Sequence, residues 1–114
     1  MLHDALTETT IQDGTTVVAV LGEIDIASAG ALREQLDQAS RAGSNVVVSL
    51  EKCAYIDSSG LRVLVRISNE LGDRFAIVVP PGTQTRRIFD ITGLGYQMRV
   101  CDGVDQAVAA LRET

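Results

Sequence analysis

Apolar positions along this chain alternate between a period near two residues and a period near 3.6, with turn residues at the changes of rhythm. Leu6 to Ile11 is polar at alternate positions and reads as a short strand. Asp13-Gly14 is a hairpin signal, and Thr15 to Leu21 (TTVVAVL) is the antiparallel partner. Gly22-Glu23-Ile24-Asp25 then leads out of that strand. From Ser28 to Ala42 the apolar residues Leu32, Leu36 and Ala39 recur at helical spacing, and Gly43 is a fitting residue to end the helix. Asn45 to Leu50 (NVVVSL) reads as a buried strand. A second helix is predicted over Ser58 to Leu71, ending near Gly72. Arg74 to Val79 (RFAIVV) is another buried strand, stopped by Pro80-Pro81. Thr83 to Asp90 is a short helix closed near Gly93, and Gln97 to Cys101 a short last strand. Asp102 is expected to cap a final helix that carries Val104, Ala107, Val108 and Leu111 on one face.

The predicted order is β-β-α-β-α-β-α-β-α. After the opening hairpin, strands and helices alternate, which implies right-handed crossovers and a largely parallel sheet. The strands at Asn45 and Arg74 lack polar alternation, as expected when helices cover both faces. With 114 residues and neither a linker nor a repeat, residues 1–114 are expected to form one domain. The core must be aliphatic, because there is no Trp and aromatics make up only 4%.

A formal charge of −5 disfavours binding to nucleic acid or to anionic membrane surfaces. No apolar run approaches the roughly 20 residues that span a bilayer. The start, Met1-Leu2-His3-Asp4, lacks the features of a signal peptide, so a cytoplasmic location is expected. Cys53 and Cys101 fit reduced thiols of small, partly buried apolar character, with a regulatory disulfide as the other reading. They would follow strands with another strand between them, about 9–10 Å apart and beyond easy bridging.

Between a buried strand and the second helix stands Asp57-Ser58-Ser59-Gly60-Leu61. Two hydroxyls at a helix start are either plain caps or sites for a phosphate. Serine-hydrolase chemistry needs a histidine base, and the only histidine is His3. No G-x-S-x-G elbow and no phosphate-binding glycine loop is present. A receiver domain would need a lysine after its fifth strand, whereas the only lysine is Lys52. Neither an enzyme nor a cofactor is expected.

Along the second helix Leu61, Leu64, Val65, Ser68 and Leu71 form the predicted core stripe, with Arg62, Arg66, Asn69 and Glu70 opposite. Val63 and Ile67 fall outside that stripe. They either pack on a neighbouring element or form a partner-docking patch with Arg62 and Arg66. The same periodicity puts Ser59 on the wet face and Ser58 on the flank of the stripe, and does not choose between them.

Three segments, Gly22-Glu23-Ile24-Asp25, Tyr55-Ile56-Asp57-Ser58-Ser59-Gly60-Leu61 and Arg87-Ile88-Phe89-Asp90-Ile91-Thr92-Gly93-Leu94, together resemble the pattern of STAS domains, and most closely that of stand-alone bacterial anti-sigma factor antagonists. The resemblance covers nearly the whole chain. It implies the STAS fold: an α/β domain with a mostly parallel sheet, an N-terminal antiparallel hairpin and a βα superhelix of about four helices. It also implies partner switching. The unphosphorylated antagonist binds an anti-sigma factor that is also a serine kinase, and so frees a sigma factor. Phosphorylation ends the complex, and a serine phosphatase (PP2C-like) restores it.

Carried onto this chain, the family's acceptor is Ser58, with Asp25, Asp57, Ser59, Gly60 and Arg62 as its neighbours. Asp57 is then expected to cap the helix, with Ser58 at its first position, and Asp25 to shape the partner surface. Many members of the family have glycine where Arg62 stands; Arg62 is four residues beyond Ser58, a spacing that permits contact. The alternative role within the family is an adaptor subunit, of a lipid-transport ABC complex or of a stressosome-type scaffold.

Overall fold

The computed structural model describes residues 6–112; His3 and the rest of the first five residues lie outside them. The main sheet has five strands. Strand β1 (Thr7–Gln12) pairs antiparallel with β2 (Thr15–Val20), in register Gln12 to Thr15 across the Asp13-Gly14 turn. Next to β2 lie β4 (Val46–Ser49), β6 (Phe75–Val78) and β7 (Val100–Cys101), all parallel, giving the order β1-β2-β4-β6-β7. Four helices connect and cover them: α1 (Ala29–Arg41), α2 (Ser58–Leu71), α3 (Gln84–Thr92) and α4 (Val104–Arg112).

The unbroken apolar strands have a direct cause. Val18, Val20, Val46, Val48, Phe75 and Ile77 face one core, shared with Leu32 and Leu36 of α1 and Leu64 and Ile67 of α2. Val17, Val47, Ala76 and Val78 face the other, closed by Ala107, Val108 and Leu111 of α4. Both faces are dry, so no strand between the helices has a polar side. Within the main sheet only β1, one of its two edge strands, is largely exposed.

Two short strands form a second sheet that the sequence pattern does not reveal. Strand β3 (Gly22–Ile24) pairs parallel with β5 (Cys53–Ile56), Ile24 opposite Ile56. Each is a continuation of its chain beyond the main sheet. Gly22, at φ +85, turns the chain out after β2, and its N–H donates to the Lys52 carbonyl. Only Ile24 and Ile56 in these strands are buried, too few to show a period.

The helix ends differ from expectation in two places. The α3 helix runs to Thr92, with Gly93 in the left-handed region, and a 3-10 turn (Leu94–Tyr96) takes up part of the connection to β7. The last strand is therefore only Val100–Cys101, although Met98 is still buried. Asp102 does not cap α4. Its carboxylate pairs with Arg86 at 2.9 Å, and its N–H is taken by the Gln106 side chain at 2.7 Å.

Gly60 fixes where α2 lies. A Cβ placed there would come within 2.6 Å of both Ile24 and Ile56, which are themselves nearly sealed from solvent. A glycine in a helix interior normally costs about 1 kcal/mol relative to alanine, so contact, not propensity, selects it. Gly60→Ala is expected to lower stability by about 1–3 kcal/mol despite the better helix former, read as a lower urea midpoint at unchanged slope.

Candidate functional site

The second sheet delivers two aspartates side by side. Asp25 follows β3 and Asp57 follows β5, and the parallel register Ile24–Ile56 brings the two strand ends together. The Asp57 N–H donates to the Ile24 carbonyl at 3.1 Å, fixing one end to the other. From there the chains diverge, one into the turn before α1 and one into α2.

Asp57 is the N-cap of α2, with extended backbone (φ −95, ψ −174). Its Oδ1 accepts from the N–H of Ser59 at 2.9 Å and of Gly60 at 3.3 Å. These are two of the backbone donors that a helix start leaves without partners. Asp25 is engaged in its own turn. Its Oδ1 accepts from the N–H groups of Ala27 and Ser28, and its N–H donates to Ser28 Oγ at 2.9 Å. The Asp25 side chain therefore holds the entry to α1, and Ile26 stands 82% exposed beside it.

Ser58 occupies the first position of α2 and is exposed; its hydroxyl makes no hydrogen bond among the described residues. Ser59, one residue on, is half-buried. The cap therefore belongs to Asp57 and not to either serine. A groove of about 620 Å³ opens beside Ser58, between α2 and the end of α3. Leu61, Val65 and Leu94 supply its apolar surface, and Arg62, Arg66 and Thr92 are among the residues that rim it.

The groove corrects the assignment of the faces of α2. Leu61 and Val65, expected in the core, pack against it but are only half-buried, and they also line the groove. Ile67, expected on a docking patch, is 1% exposed and lies in the core. Val63 is half-buried and packs against that core, so it forms no open patch with the arginines. Arg62 and Arg66 remain exposed. At 100° per residue the buried face is rotated by about 50° from the expected stripe. The contact of Gly60 with Ile24 and Ile56 imposes that rotation, and Ile67 joins the core that α1 and α2 share. The role of Leu94 and Thr92 is not apparent in the sequence, because they stand at the end of α3 and in the 3-10 turn after it, where too few residues remain to show a period.

Both cysteines are free thiols. Burial is the main influence on each and raises its pKa; neighbouring Glu23 adds to this at Cys53, and Asp102 does so at Cys101. The fold thus favours the protonated thiols. Their contribution to stability is complete below the pKa of an unfolded thiol and is lost as pH rises through the raised folded values. Alkylation of either thiol at pH 7.5 should be slower than in the urea-unfolded chain, as read by mass spectrometry. Replacing the cap is expected to act more strongly: Asp57→Ala should cost about 0.5–2 kcal/mol in urea unfolding, and Asp57→Asn much less.

Residues 7–107 match the family model for the STAS domain. The anti-sigma-B factor antagonist of Staphylococcus aureus (strain NCTC 8325 / PS 47) is 34% identical over 101 residues, which span 86% of this chain and 94% of that protein. The anti-sigma-F factor antagonist RsfB of Mycobacterium tuberculosis is 29% identical over 112 residues, 96% of this chain and 92% of its own. The crystal structure of an anti-sigma factor antagonist from Mycobacterium paratuberculosis superposes with a TM-score of 0.83 at 33% identity, covering 93% of this chain and 92% of that one. With the hairpin, the parallel sheet and the four helices of the described residues in place, the chain belongs to the STAS domain family, among its anti-sigma factor antagonists.

Proposed function

We propose that this antagonist works in the cytoplasm as a partner switch governed by Ser58. Unphosphorylated, it binds an anti-sigma factor that also acts as a serine kinase, and a sigma factor is freed. The kinase phosphorylates Ser58 and so ends the complex; a PP2C-like serine phosphatase returns the protein to its binding form. The protein acts by binding, and the chemistry belongs to its partners.

One observation carries this reading: the Ser58 hydroxyl is exposed and has no hydrogen bond among the described residues, at a helix start where Asp57 already does the capping. A serine that is not needed as a cap is free to be modified. Ser59, half-buried beside it, is a poorer acceptor. Asp25 and Ile26, on the neighbouring strand end, and Arg66, on the groove, extend the surface that a partner would cover.

Phosphorylation adds about −1.5 to −2 charges. Lowering affinity a hundredfold takes about 2.8 kcal/mol, and a dianion forced against a surface shaped for a hydroxyl can supply that through desolvation and bulk. Incubation with candidate anti-sigma kinases and ATP should place phosphate on Ser58, as mapped by mass spectrometry. Ser58→Ala should abolish it and Ser59→Ala should not; phosphate on Ser59 alone would overturn the assignment. Ser58→Glu should weaken binding of the anti-sigma factor about a hundredfold, measured by titration calorimetry, while leaving the unfolding midpoint nearly unchanged.

A further inference from the structure

A phosphate on Ser58 would arrive at a helix start whose backbone donors, apart from the Ser58 N–H itself, are already in use. Asp57 Oδ1 holds the N–H groups of Ser59 and Gly60, and the Leu61 N–H donates to the Asp57 carbonyl at 3.0 Å. The favourable end of the helix dipole is thus occupied by a carboxylate, and that carboxylate repels a second anion beside it. A phosphate here needs a positive group from elsewhere.

Arg62 is placed to provide it. It lies four residues beyond Ser58, on the same face of α2 and on the same groove. Side chains on a helix lean towards its N-terminus, so Arg62 reaches back over the turn that carries Ser58. An anion followed by a cation four residues later is also the favourable order for such a pair. Arg62 is exposed and makes no ion pair or hydrogen bond among the described residues. Other arginines are committed: Arg86 to Val79 and Asp102, Arg74 to Ser44, and Arg112 to Asp13. A guanidinium fork can meet two phosphate oxygens at once, which an ammonium cannot do.

We propose that Arg62 is the internal counter-ion of phosphorylated Ser58, folding the phosphate down along α2 and holding the switch in its off form. This rests on Ser58 being the phosphate acceptor. The phosphate would then be drawn towards the groove edge, and Arg62 withdrawn from any partner that touches it in the unmodified protein.

The test uses the full chain with phosphoserine installed at position 58 during translation, so that no kinase is needed. Phosphorus NMR follows the second ionisation of the phosphate in the parent protein and in Arg62→Ala. The expected result is a pKa lower in the parent by about 0.2–0.4 unit at low salt, with the difference shrinking in 0.5 M NaCl. Arg62→Lys should recover part of the shift. Coincident titrations of the parent and Arg62→Ala would overturn the proposal. Kinase mapping to a residue other than Ser58 would instead remove the reading on which it rests, whatever the titration shows.

Discussion

The first turn of α2 lies so close to Ile24 and Ile56 that no side chain fits at position 60. That single contact sets the rotation of the helix about its axis. With Gly60 turned to the second sheet, Leu64, Ile67 and Leu71 face the core, and Ser58, Arg62 and Asn69 face outwards. The second sheet exists to meet this turn: it buries only Ile24 and Ile56, the two residues that touch it. Stability and exposure of the candidate phosphosite therefore have one cause. A helix free to roll by half a residue would bury Leu61 and Val65 and close the groove.

The elements that bury long runs were legible in sequence. The α1 helix and the three central strands follow from the spacing of leucines and the valine-rich runs, and the limits of α2 fell where Asp57 and Gly72 suggested. What escaped was short or shared. The β3 and β5 strands bury one isoleucine each, and a period needs more than one residue to be seen. Leu61 and Val65 blur the phase of α2 because they are apolar yet only half-buried, packing against the edge of the core while also lining the groove. The contact that decides between the two phases comes from the smallest residue in the helix, which contributes nothing to a hydrophobic pattern. The candidate site was legible in another way. Asp57 and Ser58 are neighbours in sequence as well as in space, so the capped helix start with a hydroxyl beside it needed little of the tertiary fold. Thr92 and Leu94 are neighbours of Ser58 in space alone.

Division of labour within the turn follows from the same geometry. A serine that capped the helix would lose its cap on modification, and phosphorylation would then act on stability. Here the cap is a carboxylate at one position and the hydroxyl is at the next. Modification of Ser58 would leave the Asp57 hydrogen bonds in place and add charge only at the surface. Such an arrangement would separate folding from signalling: the domain could present two different surfaces while keeping one interior.

The groove determines how strongly such a charge would count. On an open, watered surface a phosphate stays solvated, and repulsion at a few ångströms is worth about 1 kcal/mol or less per pair of charges. Ser58, though exposed, stands beside an apolar strip of Leu61, Val65 and Leu94. A partner that covers this apolar strip must also strip water from position 58. For a hydroxyl that loss is small and is offset by one hydrogen bond; for a dianion it costs several kcal/mol unless the partner provides matching donors. The apolar strip that would make binding of the unmodified protein favourable is thus the same feature that would make binding of the phosphorylated protein costly.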